Sequence, residues 1–160
     1  FLHSQFFILH SQFLTMNFII GIGNDFRSDD AVGLVIARRL KACHINQFTV
    51  IEFTSDGAAL LDYFQQAEVV ILVDAVSSGA TPGTIHRLDA HREVISKQYF
   101  QCSTHTVSVA EAIELGRVLG ILPQQLLVVG IEAVNFSPGV GLSPPVEKVV
   151  DQVVEQIQQQ

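Results

Sequence analysis

Residues 17–40 read NFIIGIGNDFRSDDAVGLVIARRL. The apolar run from Phe18 to Ile22 predicts a buried strand, and an amphipathic helix follows a short polar loop. Gly21-Ile22-Gly23-Asn24 predicts a tight turn between them. Ser28 is the candidate N-cap, with Asp29 and Asp30 in the first helical turn, where the positive end of the helix dipole favours carboxylates. Arg38, Arg39 and Lys41 complement the opposite end. A strand thus delivers two acids to the rim beyond its carboxyl end, which is where open α/β sheets bind ligands. The loop is not a dinucleotide fingerprint, because the third glycine would fall on Phe26, and no Gly-Lys-Ser/Thr makes it a P-loop. Acids so placed also serve as plain helix-terminus charges, and the stretch alone leaves both roles open.

The 160 residues suit one domain with a sizeable core. Hydrophobic residues make up 48% and charged ones only 16%, the balance of a compact globular chain. A net charge of −7 with no basic stripe argues against nucleic-acid binding. Cys43 and Cys102 match no zinc spacing, and free thiols in a reducing cytoplasm are the expectation. Residues 1–15 repeat Leu-His-Ser-Gln-Phe at 2–6 and 9–13, and the first Lys or Arg is Arg27. That is no signal peptide, and it is too short and polar to span a membrane. Met16 is the one methionine. The expectation is a non-native or mis-started extension over 1–15, leaving His3 and His10 without a role, and a single α/β domain over 16–160.

Further along, Phe48 to Phe53 predicts a second strand near a sheet edge, and Thr54-Ser55-Asp56-Gly57 a turn and cap before a short helix. Val69 to Val73 is the most buried-looking strand and ends on Asp74. An acid there is costly unless it is partnered or faces a crevice. Thr84 to Leu88 predicts a fourth strand pairing antiparallel with the third, and 89–104 an irregular polar loop. Thr106 to Leu119 predicts a helix stopped by Gly120. Leu126 to Ile131 predicts a buried strand ending on Glu132, and Phe136 to Leu142 a glycine-rich loop. Ser143-Pro144 supplies an N-cap and N1 proline, and a stripe from Val146 to Ile157 packs the last helix on the sheet. The alternation predicts a single-domain three-layer α/β sandwich: a mostly parallel twisted sheet of about five strands with helices on both faces.

In the common strand order 2-1-3, the loops after Gly23 and after Val73 face one crevice. Asp29/Asp30 and Asp74 then share a rim. His105, opening a helix after the irregular loop, is the histidine best placed to join them, whereas His44, His86 and His91 have plainer settings. Two carboxylates and an imidazole suit a divalent metal with open positions. No G-x-S-x-G elbow is present, and Cys102 beside His105 lacks a third group to make a nucleophile–base pair.

GIGNDFRSDDAVG at 21–33, VILVDAVSSGATPGTIHRLD at 70–89, STHTVSVAEAIELG at 103–116 and VGIEAVNFSPGVGLSP at 129–144, in that order, resemble the hydrogenase maturation protease family. The resemblance runs from Met16 to the C-terminus. It implies a cytoplasmic, monomeric endopeptidase, dependent on aspartate and metal, with neither nucleic acid nor membrane as partner. Its partner would be the precursor of a nickel–iron hydrogenase large subunit, whose C-terminal extension it removes after nickel insertion. It also implies that Asp30, Asp74 and His105 are both the metal contacts and the catalytic groups, with Gly23, Asn24, Asp29 and Gly57 in the binding loops. Asp30 stands where the family often carries Glu, one methylene longer. The metal implied is nickel carried by the precursor, with zinc or cadmium as stand-ins in vitro. The rival readings are a non-catalytic metal- or precursor-binding maturation chaperone on the same fold, and a small-molecule hydrolase or nucleotide-binding domain.

Overall fold

The computed structural model describes residues 16–100 and 106–160; residues 1–15 and 101–105, with the expectations that fall on them, lie outside. Five strands form the sheet: β1 Met16–Ile22, β2 Thr49–Phe53, β3 Ala67–Val76, β4 Ile85–Asp89 and β5 Gln125–Glu132. Their spatial order is β2-β1-β3-β5-β4. All pairings are parallel except that of β4 with β5. The helices are α1 Val32–Ala42, α2 Leu60–Gln66, α3 Val109–Leu119, α4 Pro144–Glu147 and α5 Val150–Gln158.

The continuous apolar runs of β1, β3 and β5 follow from burial on both faces. Phe18, Ile20, Leu72 and Val128 pack with α2 and α3, while Ile19, Ile71, Val73 and Val129 pack with α1 and α5. Burying each such aliphatic side chain stabilises the fold by roughly 1.5–3 kcal/mol. The expected adjacency of the first and third strands is present, as is the edge position of β2.

Three expectations fail. β4 pairs with β5 and not with β3, because both edges of β3 are already taken by β1 and β5. The chain crosses over to β5 instead, where Gly83 N–H donates to Glu132 O at 2.8 Å and Glu132 N–H to Thr84 O at 2.8 Å. Secondly, β3 does not end at Asp74. It stays in register with β5 through Asp74↔Gly130, Ala75↔Ile131 and Val76↔Glu132. Strand alternation therefore aims the Asp74 side chain to the same face as Leu72 and Val76, the side of α2 and α3. Thirdly, α3 begins at Val109 and not Thr106, under a capping box made by Ser108 and Glu111, and ends as predicted on Gly120 in the left-handed region. Among the described residues, no helix is long and apolar enough to cross a membrane.

Helix α1 lies close against the sheet. A Cβ on Gly33 would sit 2.2 Å from Ile22 O and 2.3 Å from Val73 O, both backbone atoms of the two strands that carry the rim. Neither oxygen can swing aside, so Gly33→Ala must push α1 off β1 and β3. Such overpacking costs about 1–3 kcal/mol, a fall in Tm of roughly 2–12 °C by circular dichroism melting.

Candidate active site

Beyond Ile22 the chain folds back on itself. Gly23 N–H donates to Phe53 O at 3.2 Å, and Asn24 N–H to Asp30 O at 3.3 Å. A Cβ on Gly23 would lie 2.0 Å from Asp30 O, so only glycine lets Asp30 sit against the turn. Asn24 Oδ1 accepts the Phe26 N–H at 2.9 Å and closes the turn locally. Ser28 is not the N-cap that the sequence suggests. Its φ of 53° opens a 3-10 turn over Ser28–Ala31, and α1 starts only at Val32. Its N–H donates to Gly139 O at 3.0 Å and its hydroxyl to Ser137 O at 2.9 Å, so both groups serve the loop after β5.

Asp29 is likewise no exposed helix-end charge, since its side chain has no contact with solvent. The carboxylate accepts hydrogen bonds from Val134 N–H and Asn135 N–H at 3.0 Å each, Ser143 N–H at 2.6 Å and Ser143 Oγ at 2.8 Å. Ser143 precedes α4 as predicted, yet its hydroxyl is drawn to Asp29 and caps nothing. Arg27 adds hydrogen bonds from Nε and Nη2 to Phe136 O at 3.1 and 3.0 Å. The glycine-rich loop is thus strapped to the first loop along most of its length.

Asp30 and Asp74 are each only 4% exposed. Burial, and then the neighbouring charge of Asp30, push the Asp74 carboxyl well above the usual carboxylate range, while the Ala75 N–H at 2.8 Å opposes this weakly. Glu132, which the sequence offers as a similar acid at the end of a buried strand, behaves oppositely. Burial raises its carboxyl, but donors outweigh it: Ser78 N–H and Gly79 N–H at 2.9 Å, Ser78 Oγ at 2.7 Å and His86 Nε2 at 3.1 Å hold it below the ordinary value. Glu132 therefore ties down the loop after β3. Its donors come from residues 46 to 54 positions away in the chain, so no local pattern reports them.

Gly57 opens the 3-10 turn before α2 and packs against Val107, in the segment leading into α3. Its N–H donates to Val107 O at 3.1 Å, Val107 N–H donates to Asp56 Oδ2 at 3.1 Å, and a Cβ on Gly57 would meet Val107 O at 2.3 Å. Val107 follows His105 by two positions; His105 and Cys102 are outside the described residues, and Cys43 is an exposed free thiol. A cleft of about 640 Å³ opens at the opposite end of the sheet beside Asn17, Val69 and Gln125. Its distance from the buried acids separates it from the rim. Side-by-side carboxylates, one of them driven towards protonation, are suited to holding a divalent cation or to taking a proton from water.

By architecture the molecule is a small α/β protein of the kind seen in maturation endopeptidases. An endopeptidase from Escherichia coli superimposes with a TM-score of 0.74 at 25% identity, covering 89% of this chain and 90% of the other. The hydrogenase maturating endopeptidase HybD from E. coli has the same fold, with a TM-score of 0.72 over 89% of this chain and 90% of the other at 24% identity. The chain belongs to the hydrogenase maturation protease family, whose profile matches residues 34–160. It is 28% identical over 142 residues to hydrogenase 2 maturation protease of E. coli strain K12, spanning 87% of this chain and 86% of that protein. It is 26% identical over 140 residues to the hydrogenase expression/formation protein HupD of Thiocapsa roseopersicina, of whose length it spans 63%.

Asp29→Asn turns an amide NH2 towards a nest of N–H donors and strips several buried groups of an acceptor. At about 1–3 kcal/mol for each unsatisfied group, Tm should fall by roughly 6 °C or more. Asp74 responds to pH with the opposite sign from a paired carboxylate. Its folded-state affinity for a proton is raised, so the metal-free protein loses stability as pH climbs above the unfolded value of about 3.9 and Asp74 is forced to ionise in place. Thermal melts of the metal-free protein from about pH 5 to about pH 8 should therefore slope downward, and Asp74→Asn should flatten the slope.

Proposed function

We propose that this chain is the endopeptidase that removes the C-terminal extension from a nickel–iron hydrogenase large-subunit precursor once nickel is in place. The observation that carries the reading is the pair of buried carboxylates, Asp30 and Asp74, on one crevice of a hydrogenase maturation protease fold. Burial and the neighbouring charge of Asp30 both weigh against an ionised Asp74. A divalent cation relieves both, so the rim gains affinity chiefly for a precursor that already carries its metal. Binding is thereby linked to nickel insertion without any separate sensor.

In this reading Asp30, Asp74 and His105 contact the nickel or its surroundings and orient the extension for attack by water. A carboxylate of the pair, kept ionised beside the cation, is placed to accept a proton from that water. Val107 N–H donates to Asp56 and Gly57 N–H donates to Val107 O, which fixes the chain two positions after His105 in sequence. Gly23 and Asn24 hold Asp30 in position through the backbone of the turn.

Nickel-loaded precursor is incubated with the protein, and the products are weighed. Wild type should release a peptide equal in mass to the extension. Asp74→Asn and His105→Gln should each slow release by roughly a hundredfold or more while the fold is retained. The double variant should be no slower than the worse single, since groups acting on one centre are not additive. Tight binding by wild type with no loss of mass would replace the protease with a non-catalytic chaperone.

A further inference from the structure

The consecutive acids Asp29 and Asp30 join two faces of the sheet. Phe136 and Leu142 pack with α1 and α5, which puts the loop after β5 on that face. Asp74 is aimed to the face of α2 and α3, and it feels the charge of Asp30. The loop grips residues 26–29 one after another. Phe26 O accepts the Gly139 N–H at 2.9 Å, and Arg27 Nη2 donates to Phe136 O at 3.0 Å. Ser28 donates to Gly139 O at 3.0 Å and to Ser137 O at 2.9 Å, and Asp29 N–H donates to Asn135 O at 2.9 Å. The Asp30 backbone bonds instead within its own turn: its N–H donates to Arg27 O at 3.2 Å, and its carbonyl accepts the Asn24 N–H at 3.3 Å. Ser28, with a φ of 53°, is held by the loop in a left-handed conformation that a residue with a Cβ avoids when free. That kink lies two positions before Asp30.

We infer that the loop over 134–143 positions Asp30 for cleavage, with Ser143 as a positioning residue that acts through Asp29. The inference rests on the proposed processing activity. Ser143 supplies two of the four donors to the Asp29 carboxylate, its N–H at 2.6 Å and its hydroxyl at 2.8 Å. The hydroxyl caps no helix, although α4 begins at the next residue. Its bond to Asp29 spans 114 positions of chain. Asp29 and Asp30 share one peptide unit, so a shift of the first carries the second with it. Removing the hydroxyl loosens Asp29, eases the hold on the strained Ser28 turn and lets Asp30 drift relative to Asp74. A reacting group misplaced by about 1 Å costs up to roughly a hundredfold in rate. A loop on one face of the sheet thereby governs an acid that acts on the other.

Ser143→Ala, Ser143→Thr and Leu126→Ala are compared with wild type at a temperature where all are folded. Leu126 is buried beside the cleft at the opposite end of the sheet and serves as the control for stability alone. Cleavage of nickel-loaded precursor gives kcat/KM, and hydrogen exchange of the metal-free protein reports the Asn24 and Asp30 amides. Ser143→Ala should lower kcat/KM about tenfold and speed exchange at both amides. Ser143→Thr keeps the hydroxyl in an extended backbone that a β-branched residue accepts, and should bring both readings back to within about twofold of wild type. Leu126→Ala should lower Tm at least as far as Ser143→Ala yet leave kcat/KM within about twofold. Normal cleavage by Ser143→Ala would overturn the inference and leave the protease reading intact, as would slow cleavage with unchanged exchange at Asp30. A rate that stays low in Ser143→Thr, or falls as far in Leu126→Ala, would overturn it too. If wild type releases no peptide, the protease reading falls; unchanged Asp30 exchange in Ser143→Ala then overturns the coupling, and faster exchange supports it.

Discussion

The carboxylate of Asp29 is the constraint on which the rest of the rim depends. It is buried from solvent and gathers two successive backbone N–H groups from the end of β5, together with both donors of Ser143. A charge so deep in a fold is tolerated only when donors replace its hydration, and here they do. In exchange, a loop of some ten residues with two glycines, Gly139 and Gly141, is pinned at both its beginning and its end. Because Asp29 and Asp30 are consecutive, the clamp that fixes the loop also sets the backbone from which Asp30 reaches into the crevice.

Four carboxylates are buried in the described part of the molecule, and they divide by their surroundings. Asp29 and Glu132 are each met by four donors and act as fasteners for the loops after β5 and β3. Asp74 has one backbone donor and a neighbouring acid, and its proton affinity rises accordingly. The fasteners hold the walls still, while Asp74 lies beside Asp30 between those walls with its proton affinity raised. Sites commonly show this division, in which strain on a few groups is carried by a well-satisfied frame.

The same frame accounts for where the chain tolerates no bulk. Gly23 and Gly33 flank the Asp29-Asp30 turn, and a methyl on either would strike a backbone oxygen of the strands or of Asp30 itself. The short spacing between turn and helix start is therefore a packing requirement as much as a feature of the site.

Periodicity in the chain was enough to determine the α/β class, the central position of β1 and β3, the edge position of β2 and the two-faced core, because burial on one or both faces writes itself into local sequence. Four ordered motifs were enough to suggest the family. Sequence also placed Asp30 and Asp74 on one crevice, since strand order and the rule for sheet rims need no side-chain detail. What only the tertiary structure decided was the difference between neighbours. Asp29 and Asp30 are adjacent and chemically identical, yet the first is saturated by groups 105 to 114 positions away. Asp74 and Glu132 both follow apolar strand runs, and only contacts from β4 and the loop after β3 set them apart. The pairing of β4 was equally beyond reach, because a strand's partner depends on which edges others have already taken. Ser28 and Ser143 carry the cap chemistry that local rules expect, but their hydroxyls answer to distant acceptors instead.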